Sequence, residues 1–136
     1  MGESLSQRMA VRDWAGNIDV VALVAIGGFL GANARYGLGL VYPGLSGTLV
    51  ANVTGSFLLG FVVYEAMHTD YLTERSRLLV STGFISSYTT YSTFAYETVA
   101  AGPALGVLNV AASYAFGFAG VVLGRWVALR IGGEST

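Results

Sequence analysis

Three long stretches of this chain carry no charged residue, and they constrain the fold more than any other feature. They run from Tyr36 to Tyr64, from Leu78 to Tyr96 and from Thr98 to Gly124. Each is long enough for at least one membrane helix, which needs about 20 apolar residues. Charged residues make up 11% of the sequence, whereas an ordinary globular domain has roughly 25%. A soluble bundle would need charged helix faces, and these are absent. The sequence therefore predicts an all-α membrane protein.

Turn signals divide the apolar sequence into four transmembrane helices. Proline cannot continue a helix and glycine favours a turn, so breaks are expected at Pro43-Gly44 and at Gly102-Pro103. The predicted spans are Val20–Val41, Gly47–Met67, Leu78–Val99 and Ala104–Leu129. Residues 1–18 are expected to form a polar N-terminal tail, residues 19–131 one four-span channel domain, and residues 132–136 a C-terminal tail.

The arginines are distributed unequally between the two ends of the predicted spans. With four spans, both termini and the middle loop share one side of the membrane. That side holds six of the seven basic residues, and the other has only Arg35; the six are Arg8, Arg12, Arg75, Arg77, Arg125 and Arg130. The positive-inside rule then predicts a multi-pass protein of the cell membrane with both termini in the cytoplasm.

The remaining composition excludes several classes of function. The net charge of -1 argues against a nucleic-acid partner, and the absence of cysteine excludes disulfides and thiolate metal sites. No acidic residue, lysine or histidine lies in the middle of a span, where a proton-coupled pump would need a titratable group. The one histidine, His68, falls in the predicted loop after the second span. An enzyme is therefore not expected.

Neutral polar side chains form stripes along the predicted spans. Thr48, Asn52 and Ser56 share one face of the second span, and Asn109 and Ser113 share one face of the fourth. Amide and hydroxyl groups can donate to an anion without a full charge, and conduction requires such weak, repeated binding. The same stripes could equally serve hydrogen bonding between helices. The pattern alone leaves pore lining and helix packing equally open.

The third span contains the sequence SSYTTYST at residues 86–93, in which every side chain carries a hydroxyl. Serine and threonine compete for backbone hydrogen bonds, so this run predicts a helix broken near its middle. Unwound carbonyls can coordinate a cation such as Na⁺. We expect a cation at the break and hydroxyls, including those of Ser92 and Thr93, offered to an anion just beyond it.

These residues together resemble the Fluc/CrcB family of fluoride channels. The resemblance rests on GGFLGANARY at residues 27–36, GTLVANVTGSF at 47–57, TGF at 82–84, and TTYSTF at 89–94 followed by Glu97. It covers all four spans in order, from about Ala22 to Trp126.

The resemblance implies a passive, fluoride-selective exporter that relieves fluoride toxicity and is built as an antiparallel dimer around a structural Na⁺. The Na⁺ would be held by the backbone carbonyls of Ser86 and Thr89. The implied pore residues are Arg35, Asn52, Tyr91, Phe94, Asn109 and Ser113, with Glu97 at the pore mouth. The chain departs from the family pattern in three places: Ser86-Ser87 replaces Gly-Gly, Tyr91 replaces Phe, and Gly117 replaces Ser.

Two alternative functions are considered. A small multidrug-type transporter also has four short spans, but it relies on an acidic residue in the first span, and residues 20–41 contain none. A non-conducting packing subunit of a heteromeric complex is the other alternative. The antiparallel partner is expected to be a second copy of the chain or, given the arginine bias, a paralogue of opposite orientation.

Overall fold

The structure is a computed structural model that describes residues 5–69 and 71–133, with side chains from Gly16 onward. This part of the chain is helical and contains no strand. Its elements are α1 (Leu5–Val41), α2 (Leu45–His68), α3 (Glu74–Arg77), a π-helical segment (Leu78–Ile85), α4 (Ser86–Tyr88), α5 (Ser92–Ala100) and α6 (Pro103–Gly133). Within the described residues, three helical stretches are long and apolar enough to cross a membrane: Gly16–Val41, Leu45–His68 and Pro103–Gly133.

The first and last helices are longer than the sequence predicted. Helix α1 has 37 residues, which corresponds to roughly 55 Å at 1.5 Å per residue. It therefore continues as helix, from Leu5, through most of the expected N-terminal tail. Helix α6 includes Gly132 and Gly133 from the expected C-terminal tail, while residues 1–4 and 134–136 of the two tails lie outside the described residues. The polar composition of the expected N-terminal tail predicted contact with water, and a helix can also be in contact with water.

The helix ends next to the predicted turns lie as expected. Gly44 and Gly102 have backbone φ angles of 68° and 81°. Glycine adopts such left-handed conformations without the steric penalty of a Cβ atom. These two residues therefore lie in the turns that join α1 to α2 and α5 to α6.

The predicted third span is composed of successive short pieces. Helix α3, the π-helical segment and α4 follow one another without a gap from Glu74 to Tyr88. The backbone then leaves the helical conformation, with Thr89 at φ -82° and ψ 159°. Helix α5 begins at Ser92. The interruption at residues 89–91 lies inside the hydroxyl run.

Glycines allow the main helices to pack with their backbones in contact. Helix α1 packs along the π-helical segment, and α2 packs along α6. A Cβ atom at Gly27 or Gly31 would collide with backbone atoms of the π-helical segment, and one at Gly120 or Gly124 would meet the backbone of α2. Pairs of glycines four residues apart thus mark the two principal helix interfaces.

Ion pairs hold the segment between α2 and the π-helical segment. Glu65 is only 3% exposed. Its carboxylate accepts hydrogen bonds from the Leu72 backbone N–H at 2.7 Å and from the Thr69 hydroxyl at 3.3 Å, and pairs with the Arg77 guanidinium at 3.4 Å. A second pair, between exposed side chains, joins Asp19 of α1 to Arg75 of α3. These contacts fix where the interrupted segment begins.

Candidate functional site

The interruption after α4 is held open by the side chain of Asn52. In a continuous α-helix the Thr90 N–H would bind the Ser86 carbonyl, and the Thr90 carbonyl would accept from the Phe94 N–H. Instead, the Asn52 Oδ1 atom accepts from the Thr90 N–H at 2.9 Å, and the Asn52 Nδ2 atom donates to the Thr90 carbonyl at 3.0 Å. One amide therefore replaces both helical hydrogen bonds of the unwound residue. An amide group offers this matched donor and acceptor.

A cavity of about 280 Å³ lies between α2, α5 and α6. We call it the track cavity. The predicted pore residues Asn52, Tyr91, Phe94 and Ser113 line it, together with Ser56, Tyr114, Gly117, Phe118 and Val121. The ring centres of Tyr91 and Phe94 are 6.0 Å apart. The cavity thus joins the polar stripe of the second predicted span to the aromatic pair that follows the break.

Two further cavities lie near the break in the third segment. The break cavity, of about 370 Å³, is lined by Asn52, Gly55, Ser56, Leu59, Ile85, Ser86, Thr89, Thr90 and Tyr91. The arginine cavity, of about 380 Å³, contains Arg35, Thr48, Thr90, Thr93 and Glu97 in its wall. Asn52, Ser56 and Tyr91 belong to both of the first two cavities, and Thr90 belongs to both of the last two. The break cavity therefore shares wall residues with each of the other two and lies between them.

The polar groups along this succession are almost all neutral. Among the residues that the structure describes, the charged side chains that line it are Arg35 and Glu97, and both lie in the arginine cavity. Two oxygen atoms that are buried from solvent have no hydrogen-bond partner among the described residues, Glu97 Oε2 and Ser113 Oγ. Ser113 thus belongs to the wall of the track cavity and has a hydroxyl oxygen without a partner among the described residues. Positive charge is available at one end only, and neutral donors are available in the middle.

Two of the predicted anion-site residues do not line any of these three cavities. Ser92 is exposed, and its hydroxyl lies 3.4 Å from the Thr90 hydroxyl. Asn109 is buried, 8% exposed, and donates to the Thr98 hydroxyl at 2.8 Å. The spacing of four residues predicted that Asn109 shares the face of α6 that carries Ser113. Its long amide side chain instead turns towards α5.

Thr90 is the most central residue that the sequence analysis did not single out. It is clamped by Asn52, it separates two cavities, and its hydroxyl accepts from the Thr93 N–H at 3.2 Å, which caps the start of α5. The only signal in the sequence was its place in the hydroxyl run. Tyr114 and Phe118, whose ring centres are 6.3 Å apart, also line the track cavity without having been predicted to do so.

The break also leaves backbone carbonyls that could hold a cation. The Ser86 carbonyl loses its helical donor because the Thr90 N–H binds Asn52. Likewise, the Thr93 N–H donates to the Thr90 hydroxyl rather than to the Thr89 carbonyl. Both predicted Na⁺ ligands are therefore carbonyl oxygens that lack their usual helical donor, and oxygen ligands suit a hard cation. Among residues 5–69 and 71–133, no cluster of His, Cys, Asp and Glu could hold a metal instead.

Comparison with known proteins extends over nearly the whole helical part of the chain. Residues 22–125 match the model of the family described as CrcB-like protein, Camphor Resistance (CrcB). The chain is 56% identical to the fluoride-specific ion channel FluC 1 of Haloarcula marismortui over 110 residues, which cover 81% of this chain and 86% of the relative. It is 54% identical to FluC 1 of Natronomonas pharaonis over 79% of this chain and 92% of the relative. It is 46% identical to FluC 2 of Halobacterium salinarum over 83% and 89%.

The family match spans the glycine interfaces of α1, the Asn52 clamp, the interrupted third segment and the Ser113 face of α6. Its agreement with the motifs at residues 27–36, 47–57 and 89–94 confirms the resemblance inferred from the sequence. The chain belongs to the CrcB family.

Proposed function

We propose that this chain is a subunit of a fluoride-selective ion channel that lets F⁻ leave the cytoplasm passively and so relieves fluoride toxicity. The observation that carries the proposal is the succession of three cavities with shared walls, lined in the middle by neutral donors and aromatic rings. Its similar relatives are named fluoride-specific ion channels, which agrees with the expectation of a channel rather than an enzyme.

The proposed selectivity arises from replacement of the hydration shell of a small anion. The amide of Asn52 has one N–H that Thr90 does not use, and the Ser113 hydroxyl has no partner among the described residues. The edges of Tyr91 and Phe94 carry the positive part of the ring quadrupole. Arg35 raises the local concentration of anions in the arginine cavity. The driving force is downhill: HF that enters the cell ionises in the neutral cytoplasm, and F⁻ leaves with the membrane potential.

We further propose that the pieces between Glu74 and Ala100 together form a fourth membrane crossing with a broken middle. Non-helical backbone at membrane depth is tolerated where it is buried in protein or lines a cavity. The Asn52 clamp supplies the partners that the broken backbone needs. The N-terminus of α5 adjoins the cavities, since Tyr91, Thr93 and Phe94 line them, and half-helix ends of this kind favour anions.

A structural Na⁺ at the break is part of the proposal. When bound, it would neutralise the carbonyl dipoles of Ser86 and Thr89 and stabilise the non-helical backbone. Because the ligands are carbonyls, binding should not depend on pH. Replacing Na⁺ by a large organic cation is expected to slow fluoride transport or loosen the dimer, and identical function without Na⁺ would contradict the site.

The channel is proposed to be an antiparallel dimer in the cell membrane. The side chain of Tyr91 is 77% exposed although it lines the track cavity. One wall of that cavity is therefore open in a single chain, and a second subunit would close it. The partner is either another copy of this chain or a paralogue of opposite orientation.

Fluoride efflux from liposomes tests the proposed function. Purified chain, alone and mixed with a paralogue from the same genome, is reconstituted in K⁺-fluoride vesicles, and efflux is started with a K⁺ ionophore and followed with a fluoride electrode. Rapid fluoride release is expected, with little chloride release from matched chloride vesicles. No anion flux under either condition would favour the packing subunit, and proton flux that depends on a drug would favour the multidrug-type transporter.

A further inference from the structure

Helices α5 and α6 are joined by a chain of two hydrogen bonds close to the aromatic pair. The Asn109 Nδ2 atom donates to the Thr98 hydroxyl at 2.8 Å, and that hydroxyl donates to the Phe94 carbonyl at 2.6 Å. Asn109 is buried. We call this the Asn109 relay. It runs from the buried face of α6 to the backbone of the residue whose ring lines the track cavity.

The same point of α5 is held by a close backbone contact. A Cβ atom at Gly106 of α6 would lie 2.7 Å from the Thr98 carbonyl oxygen. Gly106 is one turn before Asn109, so the glycine and the amide contact Thr98 from adjacent turns of α6. Two independent contacts therefore fix the position of Thr98, in α5, relative to α6.

Helix α5 needs such an anchor because little else determines its orientation. It has nine residues, and its N-terminus follows the non-helical residues 89–91. None of its residues is fully buried. A small rotation of α5 about its axis would move the Phe94 ring relative to the Ser113 hydroxyl, and so would change the width of the track cavity.

We infer that Asn109 and Thr98 are positioning residues of the channel: through the Asn109 relay they set the Phe94 ring against Ser113, and Asn109 does not itself bind the ion. This inference rests on the proposed function. It changes the role that the sequence pattern suggested, since the helical spacing grouped Asn109 with Ser113 as an anion donor. The structure separates them, because Ser113 lines the track cavity and Asn109 does not.

The test is a double-mutant cycle on fluoride efflux from liposomes, with Thr98→Val, Asn109→Leu and the double variant. Residues in one hydrogen-bond network show strong coupling. We expect each single variant to slow efflux by roughly three- to tenfold, and the double variant to be no slower than either. Independent, multiplicative losses would overturn the inference, because they would mean that Asn109 acts on the ion directly.

A conservative variant separates positioning from general damage to the fold. Thr98→Ser keeps the hydroxyl and removes only the methyl group, so it should conduct like the wild type. A loss as large as that of Thr98→Val would contradict the inference, because it would show that the hydroxyl alone does not maintain conduction. Ser81→Ala is a matched control, because the Ser81 hydroxyl donates to the Arg77 carbonyl four residues earlier, at 2.6 Å, and Ser81 lines none of the three cavities.

The wild-type chain distinguishes failure of the inference from failure of the proposed function. If the wild type releases no fluoride, the proposed function is wrong. If it conducts and neither single variant slows efflux, only the inference is wrong. The elution volume of each purified dimer is measured in parallel to show that the variants assemble. If Asn109→Leu does not assemble, Asn109→Ser takes its place. Its side chain is too short to reach Thr98, so it should behave as Asn109→Leu does.

Discussion

At the scale of single residues, the break depends on an asparagine that matches a peptide group. A peptide N–H and carbonyl without partners would each cost several kcal/mol in hydrocarbon. Asn52 satisfies both groups of Thr90 and keeps one N–H for the pathway. Its helical spacing with Thr48 and Ser56 identified it as a polar residue of interest. The sequence did not reveal that its partner is the backbone of Thr90, 38 residues away.

Asn52→Asp is expected to abolish fluoride efflux while the dimer still assembles. An aspartate can accept from the Thr90 N–H but cannot donate to the Thr90 carbonyl. It also places a negative charge in an anion pathway, where two like charges about 4 Å apart repel by roughly 4 kcal/mol, or roughly a thousandfold in rate. Asn52→Leu removes the clamp without adding charge. The ratio of fluoride efflux through Asn52→Leu to that through Asn52→Asp therefore separates loss of the clamp from charge repulsion. Unchanged efflux in Asn52→Asp would remove this residue from the pathway.

Glu65 should be the most stabilising ionic residue outside the pathway. Removing one partner of a buried pair costs about 3–5 kcal/mol, so Glu65→Ala should lower the midpoint of thermal unfolding substantially. Arg75→Ala is the matched control, because its pair with Asp19 joins side chains that are 70% and 58% exposed, and exposed pairs contribute about 0–1 kcal/mol. Equal midpoints for the two variants would contradict the structural role assigned to Glu65.

At the scale of helices, most of the architecture followed from composition, glycine and proline. Two of the uncharged runs coincide with most of α2 and α6, and the hydroxyl run contains the non-helical residues 89–91. The π-helical segment was not predicted. Its backbone packs directly on Gly27 and Gly31 of α1, and such a tertiary contact leaves no local pattern. The helical start of α1 was missed for a different reason, since polarity reports exposure to water and says little about backbone conformation.

The side-chain directions within each helix were less predictable than the helices themselves. Helical spacing assigns a residue to a face, but a long side chain near the edge of that face can turn to either neighbour. Asn109 turns to Thr98, whereas Ser113, four residues later, lines the track cavity. The sequence could therefore predict which helix faces contribute to the site, but not which side chains contact each other there.

Gly31→Ala should weaken the packing of α1 on the π-helical segment. Its new Cβ atom would collide with the Phe84 carbonyl, which is backbone and cannot turn away. Overpacking of this kind costs about 1–3 kcal/mol. Gly37→Ala in the same helix is the control, because nothing lies within 4 Å of its Cβ position, and glycine to alanine in a helix stabilises by about 0.5–1 kcal/mol. Thermal unfolding of the two purified variants measures the difference; a Gly31→Ala variant as stable as Gly37→Ala would refute the close contact.

At the scale of the whole molecule, the positive charges distinguish the two ends. Arg75 and Arg77 lie at the end that holds the N-terminus of α1, where their guanidinium groups pair with Asp19 and Glu65. Arg125 stacks on Tyr64 at 5.0 Å, near the C-terminal end of α2. Arg35 alone lines the arginine cavity at the opposite end. Orientation in the membrane follows such a bias in positive charge.

The chain should therefore insert mainly with its termini in the cytoplasm and pair with a paralogue of opposite orientation. Reporter fusions at the C-terminus, one active only in the cytoplasm and one only outside, measure the orientation in cells that lack the paralogue. A strong cytoplasmic signal and a weak external signal are expected. Equal signals would indicate dual topology and a homodimer. Mutating Arg75 and Arg77 together should shift the ratio towards the external reporter.

Selective conduction of fluoride by this molecule is measured by its reversal potential. The channel is placed in a planar bilayer with fluoride on one side and chloride on the other, and the voltage of zero current is recorded. Selective conduction predicts a voltage that moves with the fluoride gradient by about 59 mV for each tenfold change and does not move with chloride or pH. A reversal potential that follows the chloride or the proton gradient would contradict the account.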